Sequence, residues 1–215
     1  MIFIWLSFIL GGFLLGSVLF SKIIPMVFLH KNICKLGADH NPGAANVFMT
    51  CGVRIGGVCL ALDMLKGFLP VFLASFFVDT DSMWFALVIA APVLGHAIGI
   101  FNRFHGGKCI STSFGVVLGL MPVSMIGFLL AELYVLFSTL IRLRPHSLRS
   151  IVTYALFLVG ESIIMCVYGK YSVAIGCAVL SLAAIVKHLG FFNRKQAEGL
   201  DSGEAAKEKL CTTQN

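Results

Sequence analysis

CISTSFGVVLGLMPVSMIGFLLAELYVLFSTLI, residues 109–141, is a run of 33 residues with a single charge, Glu132, and the way it divides fixes the fold. As one α-helix it would be about 50 Å long, against a bilayer hydrocarbon core of about 30 Å. It is too long for one span and short for two. Pro122, shortly after Gly119, lacks a backbone donor and can break a helix there. A single span would also carry Arg142, Arg144 and Arg149 away from the other basic loops, against the bias of Lys and Arg towards the cytoplasmic face. The run therefore reads as a short helix over residues 109–121 and a second over 122–141, with a six-helix bundle as the alternative count.

The rest of the chain follows the same logic. Of 215 residues, 58% are apolar and 12% charged, and the mean hydropathy is +0.94. Too little polar surface remains for a water-soluble domain, so the chain reads as an integral membrane protein. Residues 1–20 have no basic residue ahead of them and Lys22 just after, which retains them as a span with the N-terminus outside. Residues 21–54, with Lys22, Lys31, Lys35 and Arg54, are expected in the cytoplasm. Spans then follow over residues 55–78 and 83–101, joined by an acidic outer connection with Trp84 at the interface. Two more cover residues 150–168 and 171–186, joined by Gly169 and Lys170. The expected fold is all-α, a polytopic bundle of about seven transmembrane helices, N-terminus out and C-terminus in. Residues 1–192 form one membrane domain, and residues 193–215 a disordered cytoplasmic tail rich in Lys, Glu, Gly and Ala. The seven cysteines contain no CxxC pair and lie mostly in apolar runs, which supports neither a disulfide framework nor a zinc site. The formal charge of +6 is accounted for by cytoplasmic loops, and no nucleic-acid partner is implied.

Four polar clusters remain. Gly106-Gly107-Lys108, followed by Cys109-Ile110-Ser111-Thr112, places two glycines, an ammonium and hydroxyls at a helix start, an arrangement suited to an oxyanion. It is not a nucleotide P-loop, since Asn102 and Cys109 occupy the places of its first glycine and its Ser or Thr. In Gly37 to Asn46, Asn41 is expected as an N-cap with Pro42 at the first helical position, either a plain capped turn or a second anion site. Asp63 and Lys66 share a helical face at a depth where a lone charge costs about 2.5–3.5 kcal/mol, so they should pair or line a polar cavity. Gly95-His96 goes with the Gly106 to Thr112 loop, and Lys187-His188 with Arg194 and Lys195 is the fourth cluster. His96 reads as a buried hydrogen-bonding residue or as part of a site, and the basic group around His188 as a helix end near acidic lipid headgroups or as part of a site.

Gly16-Ser17, residues 37–46, Leu62-Asp63-Met64-Leu65-Lys66-Gly67, Gly95-His96 and Phe104-His105-Gly106-Gly107-Lys108 through Thr112 occur in an order and spacing that resembles the bacterial acyl-phosphate:glycerol-3-phosphate acyltransferases. The resemblance runs from about Gly16 to the last helix. It implies a seven-helix enzyme of the bacterial inner membrane, its site facing the cytoplasm, that moves an acyl group from acyl phosphate to glycerol 3-phosphate and gives lysophosphatidate and phosphate. It implies no cofactor and no metal. Carried over residue by residue, it assigns catalytic roles to His96 and Lys108. It assigns substrate or phosphate binding to Ser17, Asn41, Gly43, Asn46, Lys66, Gly106, Gly107, Ser111, Thr112 and His188. The pattern departs at Cys34 and near Met49, where arginines are usual, at Ala38 and Asp39 in place of a serine, and at His105, Ser111 and Phe191, where lysine, alanine and asparagine are usual. Loss of two guanidiniums removes bidentate phosphate clamps, which raises Lys31, Lys35, Arg54 and Arg103 as candidate substitutes. It also raises an alternative reading, a noncatalytic paralogue that binds anionic lipid or acyl phosphate. Protein partners are left unassigned by the sequence.

Overall fold

A computed structural model describes residues 2–36 and 40–212, with side chains described as far as Asn193. Among the described residues every regular element is helical. In chain order these are α1 (Ile2–Ser17), α2 (Phe20–Leu29), α3 (Ile33–Leu36), α4 (Ala44–Cys51), α5 (Val53–Phe77), α6 (Met83–Ile98), α7 (Ile110–Gly119), α8 (Gly127–Val135), α9 (His146–Val167) and α10 (Tyr171–Thr212). A 3-10 turn at Ile100–Asn102 follows α6, and a π turn at Leu136–Leu140 extends α8. Four helical stretches, Val53–Phe77, Met83–Asn102, His146–Val167 and Tyr171–Asn193, are long and apolar enough to cross a bilayer, and α1 with α2 makes a fifth if the bent pair counts as one span.

The run at residues 109–141 does break in two, at a different place from the one expected. The second helix begins at Gly127, five residues past Pro122. The gap is a turn in which the amides of Val123 and Ser124 both donate to Leu120 O at 2.8 Å, and the Ser124 hydroxyl takes the amide of Ile126 at 3.3 Å. The first apolar run also differs from the expected straight span. It stops at Ser17 and bends by 45° into α2. The bend frees Val18 O from the helical ladder, and Lys66 Nζ donates to it at 2.5 Å. A cation held 48 positions away thus satisfies the carbonyl that the break exposes.

Apolar helices in lipid gain nothing by hiding oil from oil, so they associate where small residues let backbones come close. Two such seams organise this bundle. Between α1 and α6, a Cβ on Gly16 would lie 2.1 Å from Pro92 O, and one on Gly95 would lie 2.1 Å from Phe13 O. Between α5 and α7, a Cβ on Gly67 would meet Thr112 O at 2.3 Å, and one on Gly115 would meet Met64 O at 1.9 Å. Each helix of a pair offers glycine to its partner's carbonyl, so neither seam tolerates a side chain. Phe85, Ile89, Leu120, Leu130, Tyr154 and Phe157 fill the space between the seams with essentially no exposure. Large apolar side chains on the outside, among them Phe3, Phe76, Phe77, Ile163 and Val167, face outward as a lipid-facing surface does.

Candidate active site

The deepest polar centre is built by α5 and α6. Asp63 and Lys66 stand one turn apart on α5 and are each 1% exposed, with Asp63 Oδ1 2.8 Å from Lys66 Nζ. Ser21 Oγ donates to Asp63 Oδ2 at 2.5 Å, and Lys66 Nζ lies 2.8 Å from His96 Nδ1. Ser17, fully buried, donates to Phe13 O at 2.9 Å and to Gly95 O at 3.2 Å, which ties α1 to the residue before His96. Both ions of the pair therefore have further polar partners, as a buried pair needs if desolvation is not to outweigh attraction.

Gly99, at φ +64°, ends α6 and sends the chain back along it. The returning loop is held by Gly107 N donating to His96 O at 3.0 Å, by Asn102 Nδ2 donating to His105 O, and by Lys22 Nζ donating to Asn102 Oδ1. Side chains are excluded here for packing reasons. A Cβ on Gly106 would lie 2.1 Å from Ala97 O, and one on Gly107 would lie 2.3 Å from His96 Nε2. Cys109 takes φ +67° as the N-cap of α7, and the first amides of that helix have no intrahelical acceptors.

This loop and the segment before α4 meet on one cavity of about 900 Å³. From the first come Lys108, Cys109, Ile110 and Ser111, from the second Asn41, Gly43 and Asn46. Asp63 and His96 reach it from α5 and α6, so a carboxylate stands near the loops. Phe48, Met49, Leu60, Met64, Phe114 and Val135 make much of the remaining wall apolar. Lys108 is 9% exposed and its Nζ sits 3.3 Å from the ring centroid of Phe191. The residue that stands where asparagine is usual thus contributes an aromatic face to the ammonium.

The expectation for the start of α4 needs correction. The N-cap of α4 is Gly43, in extended conformation with no side-chain capping bond, not Asn41, and Pro42 lies outside the helix. Asn41 instead accepts the Gly43 amide on its own carbonyl at 2.9 Å, and Asn46 Nδ2 donates to Ile33 O at 2.9 Å, so the segment is tied through backbone carbonyls. Ser17, Lys66, Gly106, Gly107, Thr112 and His188 are not on the cavity wall. Ser17 and Lys66 are taken up by their bonds behind His96, and Thr112 packs against Gly67 on the α5–α7 seam. His188, fully buried, lies with its ring 6.0 Å from that of His146. Ala38 and Asp39 lie outside the described residues. Lys31, Lys35, Arg54 and Arg103 are exposed and none lines the cavity. Burial pushes the Cys34 thiol up from its ordinary pKa, so no charge stands there at neutral pH.

Three polar wall residues were missed: Tyr134, His146 and Arg149. Arg149 had registered only as a topological charge. His146 and Arg149, three apart at the start of α9, share one helical face, which was the available signal.

A helical membrane bundle enclosing a cavity with a cationic, amide-rich end and an apolar wall is the architecture of an enzyme that works on amphiphiles carrying an anionic head. The family model described as glycerol-3-phosphate acyltransferase matches residues 6–197. A glycerol-3-phosphate acyltransferase from Hydrogenobaculum sp. is 34% identical over 193 residues, covering 85% of this chain and 92% of that protein. One from Geotalea daltonii is 34% identical over 195 residues, covering 91% and 93%. The crystal structure of PlsY (YgiH), an integral membrane glycerol 3-phosphate acyltransferase, in its glycerol 3-phosphate form, superposes with a TM-score of 0.75 at 27% identity over 90% of this chain and 92% of that one. The chain belongs to the glycerol-3-phosphate acyltransferase family and is a multi-pass membrane acyltransferase. Membership gives no support to the noncatalytic alternative.

Proposed function

We propose that the chain transfers the acyl group of an acyl phosphate to the first hydroxyl of glycerol 3-phosphate. The hydroxyl oxygen attacks the acyl carbonyl, the bond from the acyl carbon to the phosphate oxygen breaks, and the departing phosphate takes the proton. The products are lysophosphatidate and inorganic phosphate. Such a leaving group needs little chemical push when fixed donors meet its growing charge, so catalysis rests on positioning and electrostatics.

The observation that carries the reading is the convergence of the Asn41–Asn46 segment and the Lys108–Ser111 segment on one cavity whose other wall is apolar. Lys108 and the first amides of α7 are the donors for phosphate, with Ser111, Asn41, Gly43 and Asn46 around them. His96 orients the acceptor alcohol. Ser17, Lys66, Gly106, Gly107, Thr112 and His188 hold these groups in place from behind the wall. The acyl chain lies along Phe48, Met64, Phe114 and Val135. Seven spans, α1 and α5 to α10, with the N-terminus out and the C-terminus in, put the cationic end at the cytoplasmic face of the bacterial inner membrane and residues 193–215 in the cytoplasm. No cofactor or metal is required.

Protein reconstituted in bilayer discs and supplied with acyl phosphate and glycerol 3-phosphate should form lysophosphatidate. Lys108→Ala should lower the rate by about 10²–10³. Binding of acyl phosphate with no product from the wild-type chain would overturn the reading.

A further inference from the structure

Four basic residues that the sequence offered as phosphate partners, Lys31, Lys35, Arg54 and Arg103, lie exposed and away from the cavity. Two phosphate-bearing substrates need more than one cation. Among the described residues, one permanent cation besides Lys108 lines the wall, Arg149.

Its surroundings suit an anion. Arg149 Nε is buried and has no hydrogen-bond partner among the described residues. Its guanidinium carbon lies 5.6 Å from the ring centroid of Tyr134, which leaves the edge of the fork free to bind. No carboxylate among the described residues lies within ion-pair distance of it. The carboxylate on the cavity wall, Asp63, is already matched by Lys66 and Ser21. Arg149 also sits in the first turn of α9, where a cation opposes the positive end of the helix dipole. A buried donor without a partner and a cation at the wrong end of a helix are each unfavourable. One bound dianion relieves both.

We infer that Arg149 is a phosphate-binding residue of this cavity, holding the phosphate monoester of one of the two substrates while Lys108 faces the other. This rests on the acyl-transfer reading for the identity of the ligand, and on geometry alone for the site. The donor's phosphate and the acceptor's share the same chemistry, and kinetics separates them.

In bilayer discs, Arg149→Ala and Arg149→Lys are compared with the wild-type chain while each substrate is varied in turn, and inorganic phosphate binding is measured without turnover. Arg149→Ala should raise KM for one phosphate substrate at least about tenfold and weaken phosphate binding to match, with kcat within about threefold. Lysine keeps the charge without the fork, so Arg149→Lys should recover affinity only in part. A raised KM for glycerol 3-phosphate assigns Arg149 to the acceptor, and a raised KM for acyl phosphate assigns it to the donor. If Arg149→Ala does not fold, Arg149→Lys carries the test. Unchanged KM for both substrates and unchanged phosphate affinity in the folded variant overturn the assignment. Absence of lysophosphatidate with the wild-type chain instead sinks the reaction, and the phosphate-binding comparison then still decides the fate of Arg149.

Discussion

Lys66 Nζ, on α5, lies 2.8 Å from His96 Nδ1, on α6, and this contact sets which nitrogen of the imidazole carries hydrogen. The ammonium is ringed by three acceptors: Asp63 Oδ1 at 2.8 Å, Val18 O at 2.5 Å and His96 Nδ1. An ammonium only donates, so Nδ1 accepts and the neutral ring holds its proton on Nε2. Nε2 points towards the Gly107 turn, at the edge of the cavity. His96 is therefore presented to a substrate as a donor and not as a base.

That assignment makes the choice of replacement informative. Gln places an amide donor near the position of Nε2, whereas Ala removes it. His96→Gln should keep roughly a tenth or more of the wild-type kcat, and His96→Ala should lose about 10²-fold, both read as initial rates of lysophosphatidate formation. Equal loss in the two variants would mean that the Nε2 donor is not what the reaction uses.

Removing Lys66 should act on stability before it acts on chemistry. Lys66→Met leaves Asp63 buried with only the Ser21 hydroxyl, and breaking such a pair costs about 3–5 kcal/mol. The double variant Asp63→Leu with Lys66→Met removes both charges and should regain much of that loss. Thermal unfolding midpoints in detergent give the comparison, with a single variant more stable than the double as the contrary result.

How much of this was legible beforehand depended on how local each cause is. The spans over α5, α6 and α9 lie within a few residues of where hydropathy and basic loops put them, because each is set by its own segment. The bend at Ser17 was not legible, because the lysine that satisfies Val18 O belongs to another helix. The cap of α4 was misassigned since Gly43 fills it by backbone conformation, while Asn41 has the better side chain for the task. Arg149 was hidden in the same way. In sequence it belongs to a basic connection, and only folding turns it inward to a cavity whose other walls come from α4, α5 and the α6–α7 loop.

The Gly106-Gly107 pair looked like a flexible phosphate cradle, and its packing gives it a different job. Gly107→Ala would put a methyl 2.3 Å from His96 Nε2, and the loop or the His96 ring must move to relieve it. A displacement of about 1 Å at Lys108 is enough to cost about 10² in rate. The matched control is Gly11→Ala, on α1 with nothing within 4 Å of the added carbon, which should leave turnover unchanged. Rates for the two variants, normalised to folded protein, test the contrast, and full activity in Gly107→Ala would show that the loop does not need its contact with α6.

Gly115 makes the most demanding prediction, because it lies on the α5–α7 seam that positions both polar segments. A Cβ there would fall 1.9 Å from Met64 O, a backbone atom that cannot rotate away. Met64 itself lines the cavity, and α7 carries Ile110 and Ser111 at its other end. Separating the two helices by the width of a methyl group would forfeit close contact along the whole seam, in a bilayer where no hydrophobic drive replaces it. Gly115→Ala should therefore reduce the yield of folded protein and its melting temperature together, whereas Gly57→Ala, on α5 with open space around it, should change neither. The two glycines have the same chemistry and similar helical settings, so a difference between the variants reports the seam alone. If Gly115→Ala proved as stable as Gly57→Ala, α5 and α7 would have to sit farther apart than their glycines imply, and the cavity they frame would have a different shape.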